Sequence, residues 1–133
     1  MPATSIAAHA VHVTDADIDL LAATDTFVAH NPQSNQNNAV GIADVLKLTA
    51  RGVRVGLGTD AMTVAMLEEL RMALWAQHLR QDNPTCAFMD IANALFARNP
   101  EEASRLWGFP IGTLTEGAAA DVILVDYHAP TPL

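Results

Sequence analysis

Short apolar runs alternate along this chain with longer stretches of helical spacing. Residues 6–11, 26–30 and 53–58 are compact and apolar, and each is followed by a segment with helical features. That alternation is the sequence form of consecutive βα units, which assemble as a parallel sheet. The first unit pairs a buried strand over 6–11 with a helix over 15–23. Thr14 stands as its cap, Asp17 occupies the third helical position, and Ile18, Leu20 and Leu21 supply the apolar side. The second has a strand over 26–30, the polar stretch 31–38, and a helix over 42–50 closed by Gly52. In the third, a strand over 53–58 runs into Thr59 and Asp60. A long helix over 63–81 follows, in which Leu67, Leu70 and Leu74 predict one core-facing side.

Two further helices are predicted. One spans 88–97, and the next opens at Asn99-Pro100-Glu101-Glu102, where cap, first-turn proline and acidic first turn coincide. After Trp107-Gly108 the texture changes to Gly112-Thr113-Leu114-Thr115-Glu116-Gly117 and then an apolar run over 120–126, the pattern of a turn-rich β segment. The polar stretch 31–38 cannot be core, because its amides and hydroxyls would be left unpaired. It is expected at the carboxyl end of its strand, facing solvent or a ligand.

Composition narrows the partners. The 133 residues suit one ordinary domain with a real core. Seven basic against fifteen acidic residues give a formal charge of -8, which repels nucleic acid and anionic membranes. The single cysteine, Cys86, offers neither an intramolecular disulfide nor a thiolate cluster, and fits a reducing compartment. The opening residues lack the basic and apolar regions of a secretory signal, and no apolar run approaches the ~20 residues of a membrane span. A cytoplasmic protein is expected.

In parallel α/β sheets, chemistry collects at the carboxyl ends of the strands. Three strand ends here carry useful groups: His9 and His12, His30-Asn31, and Thr59-Asp60. A carboxylate so placed can ligate a divalent metal or take a proton from water, and a neutral imidazole can bind metal, shuttle a proton or polarise a carbonyl. Singly, each feature is weak: a lone histidine on an apolar strand is more often a hydrogen-bonded core residue. Gly56-Leu57-Gly58 lacks the third glycine and the lysine of a phosphate loop. Met62, Met66, Met72 and Trp75 read as core and helix-interface residues, and His78 and His128 as structural or solvated.

The ordered series Ala8-His9-Ala10-Val11-His12-Val13, Ala29-His30-Asn31-Pro32-Gln33-Ser34-Asn35 and Val55-Gly56-Leu57-Gly58-Thr59-Asp60 resembles the last three barrel strands of the amidohydrolase superfamily. The branch it resembles holds chlorohydrolases and guanine- and adenosine-type deaminases, and residues 31–41 look most like its SsnA-like aminohydrolases. The resemblance implies an α/β fold: a partial TIM barrel of the metallo-dependent hydrolase kind, with strands six to eight and their helices over 1–110. Residues 111–133 would form a β segment returning toward a composite β-sandwich. It implies hydrolysis of a carbon–nitrogen bond other than a peptide bond, as in deamination of a small heterocycle, with a divalent metal, zinc, in the full-length family. Asp60 would be a metal ligand and the base toward the attacking water, and His9 would polarise the substrate. His30, Asn31, Ser34 and Asn35 match the motif that borders the substrate pocket.

The family's first-strand His-x-His pair, fifth-strand histidine and nearby glutamate have no counterpart in this sequence. A catalytic zinc needs about three protein ligands, so this chain alone is expected to be an inactive fragment that holds no metal tightly. Three parallel strands would leave two open edges, which predicts a homo-oligomer or association with the missing barrel segment. The contrasting expectation is a small non-catalytic α/β module that oligomerises or binds a ligand at its strand ends. The hydrolase interpretation requires His9 and Asp60 to project from neighbouring strands into one mouth.

Overall fold

A computed structural model of the protein describes residues 4–128. Its centre is a parallel sheet of β1 (Ile6–Ala8), β2 (Phe27–His30) and β3 (Val55–Leu57) in the order β1-β2-β3, with Ala7 opposite Val28 and Val28 opposite Val55. The βα alternation therefore produces the expected α/β sheet. Period-two alternation puts Val28, Val55 and Leu57 on its core side, where they pack with Ile18, Leu21, Val45, Leu48, Ala73 and Ile91. Val28, Val45, Leu48 and Val55 are essentially inaccessible, and each such side chain contributes about 1.5–3 kcal/mol by leaving water.

Helix α1 (Asp15–Ala23) forms where the sequence predicts it, because Thr14 and Asp17 satisfy each other's backbone in a capping box. Strands β1 and β3 are shorter than expected. His9 and Ala10 take positive φ of 69° and 50°, which ends β1 before 11.

The stretch 31–38 is mostly a helix, α2 (Pro32–Asn37), and Asn31, Pro32, Ser34 and Asn35 are buried. The expectation that none of it is core is thereby corrected. Ser34 Oγ and Asn35 Oδ1 find tertiary partners in Asp60 and His9, which offsets part of the cost of burying them, while Asn35 Nδ2 and Gln33 Nε2 have none. Helix α3 (Val45–Ala50) starts at Asp44, whose side chain accepts from Lys47 N at 3.0 Å.

Helix α4 (Met66–Gln81) turns Glu69, Ala73, Ala76 and Gln77 inward. Leu70 and Leu74 pack at the margin of the core as predicted, but Leu67 is 67% exposed. Met62 and Trp75 are also exposed, and Trp75 lies under the Arg71 guanidinium at 5.3 Å. A buried glutamine side chain, that of Gln77, clasps Ala43 O at 2.9 Å and Val45 N at 3.2 Å.

Helix α5 (Phe88–Asn93) passes through a π-helical turn, Ala94–Arg98, straight into α6 (Asn99–Trp107). Asn99 is therefore no cap; the residue before it, Arg98, is already helical. Its carboxamide instead accepts from Leu57 N at 2.9 Å and donates to Leu57 O at 2.8 Å. Those are the groups of β3 that point away from β2, since Gly58 N donates to His30 O and Arg54 O accepts from Val28 N. A side chain thus occupies the outer edge of the sheet. Gly56 permits it: a Cβ there would overlap both Asn99 Oδ1 and the Phe27 ring.

At the opposite, amino-terminal end of the strands, Arg54 pairs with Asp25 at 2.9 Å and with the buried Glu102, while Arg105 reaches Asp25 at 2.8 Å. Beyond α6, residues 109–128 form no strand, and Leu114, Ile123 and Leu124 are more than 80% exposed. A strand needs a partner for its amides and carbonyls, and none lies alongside among the described residues. Residues 129–133 of the expected β segment lie outside the described residues. No helix of the described residues is long and apolar enough to cross a membrane.

Candidate active site

The strand ends and α2 converge on one polar mouth. His9 terminates β1, with its amide held by Ala29 O at 2.8 Å. Asp60 follows β3, and it and Ala61 take positive φ of 48° and 59°. Two successive non-glycine residues in the left-handed region store strain at both positions. The strands carrying His9 and Asp60 are not neighbours, as β2 runs between them. The side chains nevertheless meet, with His9 Nε2 3.7 Å from Asp60 Oδ2. That is longer than a hydrogen bond, and with the two side chains 38% and 49% exposed, solvent screens their attraction.

Consecutive residues of α2 hold the pair from above. Ser34 Oγ donates to Asp60 Oδ2 at 2.6 Å, and Asn35 Oδ1 lies 2.7 Å from His9 Nδ1. Asn31 Nδ2 approaches the same His9 nitrogen at 3.5 Å. The shorter contact dominates. An amide oxygen only accepts, so Nδ1 carries a proton, and Nε2 is the ring nitrogen turned toward Asp60. Asn31 rests on Gly58, where a Cβ would overlap Asn31 Oδ1.

His9, Ser34, Asn35, Asn38, Val40 and Asp60 line a cavity of about 330 Å³, at the small end of the range for small-molecule sites. Asn38 adds a donor to Ser34 Oγ at 3.3 Å. Of the residues singled out from sequence, His9, Ser34, Asn35 and Asp60 come together, with Asn31 just beneath. His30 does not. It shares a sheet face with Val28, is 1% exposed, and neither ring nitrogen has a partner. Burial, reinforced by the nearby His9, lowers its pKa to about 4. His12 is exposed, His78 Nε2 contacts Cys86 O at 3.1 Å, and His128 is solvated beside Asp126.

Sequence reasoning missed Asn38, Val40 and Glu69. Glu69 is wholly buried on α4, and its Oε2 accepts from Gln33 N at 3.2 Å. Desolvation raises its pKa against the lowering effect of that bond. The spacing Glu69, Ala73, Ala76, Gln77 is the signal that would have found it: a stripe of small and polar residues at helical period beside exposed leucines.

The residues present do not by themselves fit a metal centre. Among the described residues, no three His, Cys, Asp or Glu side chains converge, whereas a structural or catalytic zinc takes three or more.

Histidine, carboxylate and amides gathered at the strand ends stand where parallel α/β folds, barrels among them, place their functional groups. Residues 2–133 match the amidohydrolase family, and the chain belongs to it. A 5-methylthioadenosine/S-adenosylhomocysteine deaminase from Desulforudis audaxviator is 42% identical over 133 residues, covering 94% of this chain and 30% of that protein. An adenosine deaminase from Xanthomonas campestris, solved with bound zinc, superposes with a TM-score of 0.72 at 25% identity, covering 87% of this chain and 27% of that one. Escherichia coli guanine deaminase gives a TM-score of 0.62 at 27% identity, covering 77% and 23%. The chain spans about 30% of the length of the curated relatives it matches. The fold and the deaminase relatives agree with the resemblance read from sequence.

Proposed function

We propose that this chain supplies strands six to eight of a (β/α)8 amidohydrolase barrel whose complete site deaminates a small heterocycle, hydrolysing a carbon–nitrogen bond outside the peptide class. The observation that carries this reading is the approach of His9 Nε2 to Asp60 Oδ2 at 3.7 Å, each side chain held by its own α2 residue. Asp60 accepts the proton of the attacking water, and His9 polarises the substrate as its tetrahedral centre develops. Ser34 and Asn35 border the pocket with Asn31, while His30 supports it from the core side. The names of the relatives favour an adenosine-type base as substrate.

Zinc in the Xanthomonas neighbour supports a divalent metal in the whole protein, with Asp60 as the ligand from this chain. The remaining ligands must come from beyond the described residues, so the chain alone is inactive. Its natural associate is the rest of the barrel, and residues 111–133 pair as a β segment within that larger assembly.

The test combines this chain with a separately produced amino-terminal segment of the Desulforudis relative and zinc, and follows ammonia release from adenosine-type nucleosides. Zinc-dependent release that Asp60→Ala abolishes is expected. A stable complex that releases no ammonia, or keeps its rate in that variant, overturns the reading. Stoichiometric zinc and turnover by the chain alone overturn its incompleteness.

A further inference from the structure

We propose that Glu69 is a positioning residue: from beneath α2 it fixes the backbone of Gln33, and through it the Ser34 and Asn35 side chains that hold Asp60 and His9. The inference rests on the deaminase reading only for what the positioning serves.

Helix α2 has little reason to form alone. It has six residues, Pro-Gln-Ser-Asn-Gln-Asn, and Asn31 before it makes no side-chain cap. Proline suits the first position, but serine and asparagine are poor helix formers, and so short a helix is marginal in water. The first amides of any helix lack intrahelical acceptors. At α2 one of these, Gln33 N, is taken by Glu69 Oε2 at 3.2 Å. The next two residues make the 2.6 Å contact to Asp60 and the 2.7 Å contact to His9. A drift of about 1 Å at Gln33 would open both, and displacements of that size cost enzymes large rate factors.

Packing alone does not call for a carboxylate here. Glu69 is 0% exposed and its Oε1 has no partner, nor has the nearby side-chain nitrogen of Gln33. Burying a carboxylate is costly unless its bonds are needed. A methionine would fill the same space without that penalty, so the function of the carboxylate lies in the single bond it makes to α2.

The test reads the His9 ring by 15N NMR in the whole 133-residue chain. The wild type should show a pure Nδ1–H tautomer. Glu69→Met should shift His9 toward a mixture of tautomers with His78 and His128 unmoved, and Glu69→Gln, which keeps an acceptor, should restore the wild-type pattern. Glu102→Gln is the control, since it disturbs a buried carboxylate at the far end of the strands and should lower the melting temperature without moving His9. An unchanged His9 in Glu69→Met, or an equal change in Glu102→Gln, overturns the proposal. Should Glu69→Met fail to fold, hydrogen exchange on the wild type decides: the Gln33 amide should exchange at least about ten-fold slower than in an unstructured peptide, and free exchange refutes the contact. Failure of the deaminase assay leaves these readings untouched, so the two ideas fail separately.

Discussion

His9 and Asp60 face each other across a strand that belongs to neither: Nε2 and Oδ2 are 3.7 Å apart, with β2 running between β1 and β3. The sheet alone does not close that gap. The backbone leaves both strands through paired left-handed residues, His9-Ala10 and Asp60-Ala61, which turn the side chains toward one mouth. Helix α2 then bridges them through Ser34 and Asn35.

Removing one end of that bridge should be felt in catalysis. The Ser34 bond is short and its acceptor is a carboxylate, a class worth about 1.5–3 kcal/mol. In the zinc-loaded assembly with its complementary segment, Ser34→Ala is expected to lower kcat by about ten- to a hundred-fold. Thr14→Ala, which removes the α1 cap, should lower stability by about 1 kcal/mol and leave kcat alone. Equal rates for Ser34→Ala and wild type would show that Asp60 needs no partner.

Acid should attack the fold through His30. Its folded pKa, about 4, lies below the 6.5 of an exposed histidine, so the unfolded chain binds a proton first as pH falls. The stability tied to the neutral ring is complete above about pH 6.5 and declines between there and about pH 4, a loss of about 3 kcal/mol. Because neither ring nitrogen has a partner, His30→Leu should cost little at pH 7 and flatten the decline. Urea midpoints at pH 7 and pH 4.5 measure this, and an unflattened variant assigns the acid sensitivity elsewhere.

The strain at Asp60-Ala61 is open to a direct measurement. Ala61 is exposed and has φ of 59°, so glycine there relieves a left-handed alanine without losing packing. Ala61→Gly should raise stability by about 0.5–1 kcal/mol in denaturant unfolding. Ala61→Val, branched at the strained position, should lower it. No difference among the three would mean that the turn carries no strain.

Much of this arrangement was legible in the chain. Helix α1 was set by local chemistry, with Thr14 and Asp17 three residues apart, and the strand ends were marked by His9 and Asp60 beside apolar runs. What escaped was tertiary in origin. Nothing local makes a helix of residues 32–37; α2 exists because Glu69, Asp60 and His9 receive its polar groups. Asn99 has every local sign of a cap, yet the π-helical turn before it carries the helix through and sends its side chain to a strand. Leu67 fits the apolar period of α4 but lies outside its buried stripe.

Asn99 leads to the last prediction. Its carboxamide matches the donor and acceptor of Leu57 as a neighbouring strand would, at 2.9 and 2.8 Å. An open parallel edge is a template for another chain, and this side chain covers the outer edge of β3 at its last paired residue, Leu57. Asn99→Ala removes two hydrogen bonds and strands a partly buried amide, at a cost of about 2–3 kcal/mol. Asn93→Ala, at an exposed helical position, should change stability by less than about 0.5 kcal/mol. Uncovering the edge should also promote self-association, visible as a rise in sedimentation coefficient with concentration. Stability loss without association would make Asn99 a brace and nothing more; association in Asn99→Ala alone would establish that a single carboxamide keeps β3 from pairing with a second copy of this chain.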